Sequence, residues 1–398
     1  MSRFIKRIVL LLSLSLSICM HSNAQFTAKW DNGFKLQSAD KNFKLKFGGR
    51  IQYDVAYINQ SDSLTAQFGE ITNGAEFRRV RLFNSGTIYS NVKYKLQLDF
   101  AAGKIVFKDV YIEFLKIPVV GSIRVGHFKE PFRLGSLTSS KYITFMERSN
   151  FESFSEDRNS GMMIRNSYKD NKFAWQLGTF RSSNAVGDSP ASNDEINLAA
   201  RISSLILNNK EKKEFIHLGV GYNYRNPKLD IYTIKVRPEA HLTPKYLSTN
   251  IIEDIDRVLL LNLEFAYSRG PFAIQSEYLV ANLNSKVNYN LSGYYVFVSY
   301  FLTKEQRPYK SSYDGFNRVK PNKNAINNVG KGAWQIALRY SYMDLDDKDL
   351  QGGTMNDITL GLNWFLNPAV AIKFNYIYSY MTADNIAHIA QMRFQIDF

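Results

Sequence analysis

From about residue 42 onward the chain repeats one pattern: long runs in which apolar and polar residues alternate, separated by short turn-like breaks. Val370, Ile372, Phe374, Tyr376, Tyr378 and Tyr380 make one face of such a run, with Lys373, Asn375 and Ser379 on the other. Trp334, Ile336, Leu338, Tyr340 and Tyr342 oppose Gln335, Arg339 and Ser341 in the same way. So do Val92, Tyr94, Leu96, Leu98 and Phe100 against Lys93, Lys95, Gln97 and Asp99. Successive side chains of a strand point to opposite faces, so each run reads as a strand with one apolar face. A soluble sandwich would give the same alternation. Length separates the two, because these runs span roughly 10–16 residues against about 5–6 for a globular strand, and a tilted strand of about 9–11 residues crosses a bilayer. Aromatic residues near the ends of the runs suit the two interfacial girdles of a membrane barrel.

The ends of the chain fit that reading. Arg3, Lys6 and Arg7 precede the apolar run Ile8–Met20, and small residues then lead to a cleavage point after Ala24. This is the order of a secretory signal, and the apolar run falls short of the ~20 residues that a spanning helix needs. Residues 1–24 are therefore expected to be a signal peptide, 25–41 a loosely held leader and 42–398 an outer-membrane β-barrel pore domain. Ile18, where a lipobox wants a small residue, argues against lipidation at Cys19, and cleavage after Ala24 would remove the chain's one cysteine. The last run, Met392 to Phe398, alternates and finishes on an aromatic residue.

Composition sharpens the exclusions. Hydrophobic residues make up 45% of the chain, unremarkable for a soluble protein, but a barrel shows lipid only every second residue. The formal net charge of +14 would suggest nucleic acid in a cytosolic protein; export assigns it to small anions, acidic surfaces and lipopolysaccharide instead. The expected fold is a transmembrane antiparallel β-barrel of about 16 strands with long inward-folding loops. Residues 231–242 give an ambiguous extra segment and are read as part of a long loop. Tight connections fall at Ser90-Asn91, Lys169–Lys172, Arg269–Pro271 and Asn367-Pro368, with long ones at 131–159, 183–195 and 227–256. The 303–331 connection is long yet lies on the short-turn side, so it is expected to fold into the lumen.

If apolar faces meet lipid, the opposite faces line a pore. That inward set holds Lys44, Lys46, Arg50, Arg124, Arg165, Arg201, Arg225, Arg339, Lys373 and Arg393, balanced by acids such as Asp54, Asp99, Asp109, Glu113, Glu277 and Asp357. An ordinary polar lumen explains many of them; a basic excess would also ease anions through a narrow passage. Glu76-Phe-Arg-Arg-Val-Arg81 concentrates three arginines, of which Arg79 and Arg81 share a face. Arg78 can join Arg79 at the lumen only through a bulge or at the rim, since an arginine facing mid-bilayer lipid costs roughly 2–4 kcal/mol.

The stretches FKLKFGGRIQYD (43–54), AEFRRVRLFNSGTIYSNVKYKLQLDF (75–100), TSSKYITFMER (138–148), YLVANLNSKV with SGYYVFVSYFLT (278–303) and GAWQIALRYSYMDL (332–345) resemble the phosphate-selective porins O and P of bacterial outer membranes. The resemblance implies a trimeric pore in which basic residues lead anions, phosphate or polyphosphate among them, to a constriction. Carried over by position, Arg50, Arg78 and Arg79 fall at the anion site, Asp99 beside it, and Arg148 on a basic loop. Lys235 and Arg237 fall on rungs of the basic ladder, and Lys310 and Lys320 match inward lysines. Glu239, Thr243 and Ser136 depart from the pattern, each replacing a basic residue, which puts phosphate selectivity in question and leaves a general or solute-specific diffusion pore as the alternative. A structural barrel or adhesin is a second alternative, although it would have no use for repeated inward cations. An enzyme is disfavoured: His127, His217, His241 and His388 are scattered, without nucleophile or metal-ligand spacing. No cofactor, metal or nucleic-acid partner is expected; the expected partners are small anions, outer-membrane lipid and lipopolysaccharide, and two further copies of the chain.

Overall fold

A computed structural model describes residues 26–156, 158–168, 172–189, 195–227, 230–325 and 330–398. The expected signal peptide and most of the Lys169–Lys172 connection lie outside the described residues.

Sixteen long strands follow one another around a closed antiparallel sheet. The first quarter comprises β1 (Lys44–Gln60), β2 (Asn73–Ile88), β3 (Val92–Asp99) and β4 (Val106–Ile117). Next come β5 (Gly121–Phe128), β6 (Asn159–Tyr168), β7 (Phe173–Arg181), β8 (Asn197–Asn209) and β9 (Glu214–Arg225). Then follow β10 (Arg257–Arg269), β11 (Phe272–Asn284) and β12 (Tyr289–Phe301). The last are β13 (Ala333–Asp347), β14 (Leu350–Phe365), β15 (Val370–Met381) and β16 (Asn385–Asp397). The cylinder closes where β16 pairs with β1, in a register that sets Ala387 opposite Gln60 and Ile396 opposite Ile51. Closure leaves no sheet edge within the bilayer, where an unpaired backbone group would find no water. At the seam the Phe398 carbonyl accepts the Gly49 amide at 2.6 Å, and the Phe398 ring lies on that glycine. A Cβ on Gly49 would stand 2.7 Å from the ring, so a side chain there would push the terminal residue off the seam.

The outward face is apolar as the alternation requires, with Ile51, Leu82, Ile112, Leu177, Ile202, Leu263 and Leu360 all exposed on the isolated barrel. An apolar belt around a closed barrel is the surface that such a fold turns to the hydrocarbon of a membrane. Two expectations need correction. Residues 26–38 are not loosely held: they form a hairpin whose second strand pairs with β1, Phe34 opposite Phe47 and Leu36 opposite Leu45. Pairing with β16 begins only at Arg50, so Lys44–Phe47 would otherwise present an open edge, and the hairpin covers it.

The lumen, expected to be polar, carries a second hydrophobic core. Leu260, Leu279, Leu291, Tyr295, Phe297, Met343, Met355, Ile377 and Ile389 point inward from β10–β16 and are buried. They pack against Phe132, Phe145, Phe151 and Phe154 of the 129–158 connection and Ile234, Val236, Tyr246, Leu247 and Ile252 of the 226–256 connection. A water-filled lumen penalises bare apolar wall as any aqueous surface does, and these two loops relieve that penalty. The ambiguous residues 231–242 do belong to a loop, which holds the short pairing of Lys235–Val236 with Leu247–Ser248 and a single bridge between Tyr232 and Ile252.

Candidate functional site

With β10–β16 lined by packed loops, open space remains along β1–β6. It forms a polar chamber of about 890 Å³ between that wall and the inward connections. Among the described residues, seventeen Lys or Arg line it against five Asp or Glu, an excess that fixes the sign of its field. Residues 309–318 of the 303–331 connection close one side, folded inward as expected. Arg201 and Ser203 donate to the Ser312 carbonyl at 2.7 and 2.9 Å, the Tyr309 hydroxyl lies 2.8 Å from His217, and Arg318 pairs with Asp397.

The three arginines of β2 reach the chamber through a local irregularity. The register steps so that Gln52 faces Arg79 and Tyr53 faces Phe77, which leaves Arg78 as the extra residue of a β-bulge. Arg78 and Arg79 thereby point inward together, as the cost of a lipid-facing arginine demands. Both converge on Glu147 of the 129–158 loop: Arg78 grips it with two bonds of 3.0 and 3.1 Å, Arg79 with two of 3.3 and 3.4 Å. Arg393 adds a bond of 2.6 Å while gripping Asp54 at 2.7 and 2.6 Å. Burial alone would raise the Glu147 carboxyl, but Arg78, Arg79 and Arg393 hold it well below the usual carboxylate range. The three guanidinium groups thus favour its ionised form.

Of the other expected site residues, Arg50 is buried, faces the chamber and donates to Ser140 Oγ at 2.6 Å. Among the described residues no carboxylate lies within ion-pair reach of it. Asp99 lies beneath the lining, bonded to Arg81 at 2.6 Å and to the amides of Val80 and Ala101. Arg148 lines the chamber and holds its own loop, donating to the carbonyls of Gly135, Ser136 and Thr138. Lys235 and Arg237 border an outer vestibule, and Arg237 also reaches the chamber. Lys310 lines the chamber, paired with Asp314 at 2.9 Å. Lys320 is exposed and stands apart from it.

Glu239, one of the three departures from the basic pattern, is buried beneath three donors. Arg339 donates to it at 2.8 Å, and Ser341 and Thr359 bond it as well. Its carboxylate holds the 226–256 loop to β13 and β14. Several inward cations have the same structural use: Arg201 pairs with Glu264 at 2.6 Å, and Arg124 and Arg165 with Glu113 at 3.1 and 2.5 Å.

Glu147 and Lys141 were missed from sequence. Glu147 stands inside a matched stretch, yet nothing local says that its loop folds beneath the arginines. Lys141 lines the chamber beside Arg50; burial, with Arg50, Arg318 and Lys310, pushes its ammonium down to about 6, although Asp397 lies 3.1 Å away.

A closed sixteen-stranded barrel narrowed by inward loops around a polar chamber defines an outer-membrane porin. The chain belongs to the family of phosphate-selective porins O and P, whose model matches residues 45–398. Porin O of Pseudomonas aeruginosa is 25% identical over 394 residues, spanning 89% of this chain and 87% of that protein. An uncharacterized protein of Caulobacter vibrioides is 27% identical, spanning 93% of this chain and 76% of its own length. Among solved structures, the anion-selective porin of Comamonas acidovorans shares the fold with a TM-score of 0.54 at 12% identity, over 89% of this chain and all of that one. The trimer form of OmpT from Vibrio cholerae gives 0.54 at 11%, over 89% of this chain and 99% of that one.

Proposed function

We propose that the barrel is a passive pore for small anions, with phosphate or polyphosphate among its solutes. The observation that carries this reading is the lining of the chamber, in which basic residues outnumber acidic ones more than threefold among the described residues. An anion leaving bulk water loses hydration, and dispersed Lys and Arg donors offset part of that loss without trapping it, provided successive sites are weak. The vestibule residues Lys235 and Arg237 collect anions at the outer mouth, and Arg50 meets them in the chamber. No ATP, metal or catalytic step enters. We further infer a homotrimer seated in lipopolysaccharide: the relatives of this fold include a protein solved in trimer form, and the net positive charge suits an anionic leaflet.

The test is the reversal potential of the purified protein in planar bilayers under a potassium chloride gradient, repeated with added phosphate. Anion preference with phosphate block is expected. Cation preference would overturn the anion reading, and anion preference without block would leave a general anion pore. Arg79→Ala, which removes a charge while leaving Glu147 in place, is expected to lower the chloride-to-potassium permeability ratio severalfold.

A further inference from the structure

We infer that Glu147 is a tethered counter-anion: its carboxylate occupies the place between Arg78, Arg79 and Arg393 that a passing oxyanion would take, and so holds the constriction to weak, rapid anion binding. The inference rests on the anion-pore reading and concerns how tightly that pore binds. The geometry is that of a bound anion. A planar carboxylate accepts paired bonds from Arg78 and from Arg79 and a fifth from Arg393, with every donor–acceptor distance between 2.6 and 3.4 Å. Arginine forks hold phosphate in the same manner. The group arrives on a loop, not a strand, and that loop is fixed behind it: Arg339 donates to the Glu147 carbonyl at 3.2 Å, and Arg393 to that of Met146. Glu147 and Arg78 keep side-chain exposures of 14% and 20% on the chamber side, so a solute can reach both. Three guanidinium groups thus meet two carboxylates, Glu147 and Asp54, and a mobile anion sees only the residue of that field.

Glu147→Gln keeps the shape and removes the charge. In planar bilayers this variant is expected to bind inorganic phosphate roughly ten- to hundredfold more tightly than the parent, read as block of chloride current. Its chloride-to-potassium permeability ratio should rise as well. Adding Arg79→Ala to it should return the block toward the parental value. Block unchanged within about twofold would overturn the inference. Should Glu147→Gln fail to assemble, Glu147→Asp withdraws the carboxylate by one methylene while keeping its charge. An intermediate rise in phosphate block is then expected, and parental block would again overturn the proposal. A cation-selective parent protein would reject the anion pore itself; an anion-selective parent with an indifferent Glu147→Gln rejects the tethered anion alone.

Discussion

At the scale of single residues, the chamber separates charges that hold the structure from charges that face the solute. Arg201, Arg339 and Arg393 are as basic as Arg50, but each is committed to a carboxylate in the wall or a loop. Breaking such a buried pair costs about 3–5 kcal/mol, whereas a chamber-facing group can change charge with the fold intact. Lys141 combines the two: it faces the chamber and lies 3.1 Å from Asp397, a carboxylate that Arg318 also holds. Its ammonium is pushed down to about 6 by burial and by the neighbouring Arg50, Arg318 and Lys310. A depressed lysine carries its charge below that value and loses it above. Raising the pH from 5 to 7.5 should therefore remove one positive charge from the lining and lower anion selectivity. Reversal potentials across that range test the effect. Lys141→Met should flatten the curve at the alkaline level and Lys141→Arg at the acidic level; a parental curve that is already flat would exclude Lys141 as the titrating group.

At the scale of elements, the strands were legible because each is specified locally. Alternation within 369–381 or 333–343 identifies a strand, its apolar side and its neighbour in the meander without reference to distant residues. The bulge at Arg78 was legible too, since charge at a lipid-facing position forces a shift of register. That some loops turn inward was legible as well, but the contacts that fasten the 129–158 and 226–256 loops were not. What holds the 226–256 loop is Glu239 reaching Arg339, Ser341 and Thr359, residues one hundred or more positions further along. No period or turn signal carries that pairing. An inward glutamate read in isolation is a repulsive charge; its partners make it a fastening. Glu239→Gln should accordingly leave anion selectivity nearly intact but strand Arg339 in a buried site, costing about 3–5 kcal/mol locally. Limited proteolysis within 227–256 should accelerate on folded barrels. A marked gain in anion selectivity with unchanged proteolysis would instead show Glu239 acting on the solute.

At the scale of the whole molecule, the barrel faces two solvents and solves a different problem with each. Lipid accepts the outward side chains bare, so the outer surface needs no cover. The lumen is aqueous, and half of its wall is also apolar, which explains why inward Leu260, Leu279, Met343 and Ile389 escaped a reading in which alternate residues are simply polar. Those residues are intelligible only with the loops in place, so the loops that narrow the pore also stabilise it. The 226–256 connection allows the two roles to be separated, because Tyr232 and Ile252 pair with each other across its base. Replacing residues 233–251 by an Asn-Gly turn should widen the channel and raise single-channel conductance. It should also strip Ile234, Val236, Tyr246 and Leu247 from the inner core, at about 1.5–3 kcal/mol for each buried side chain, an upper bound of about 12 kcal/mol in all. Heat-modifiability on detergent gels would register that loss as a lower temperature of conversion to the unfolded form. A barrel that conducts more and melts no sooner would mean that the loop is only a gate. A joint change in both quantities is expected, since the same apolar contacts that hold the barrel's inner wall dry set the width of the passage left beside it.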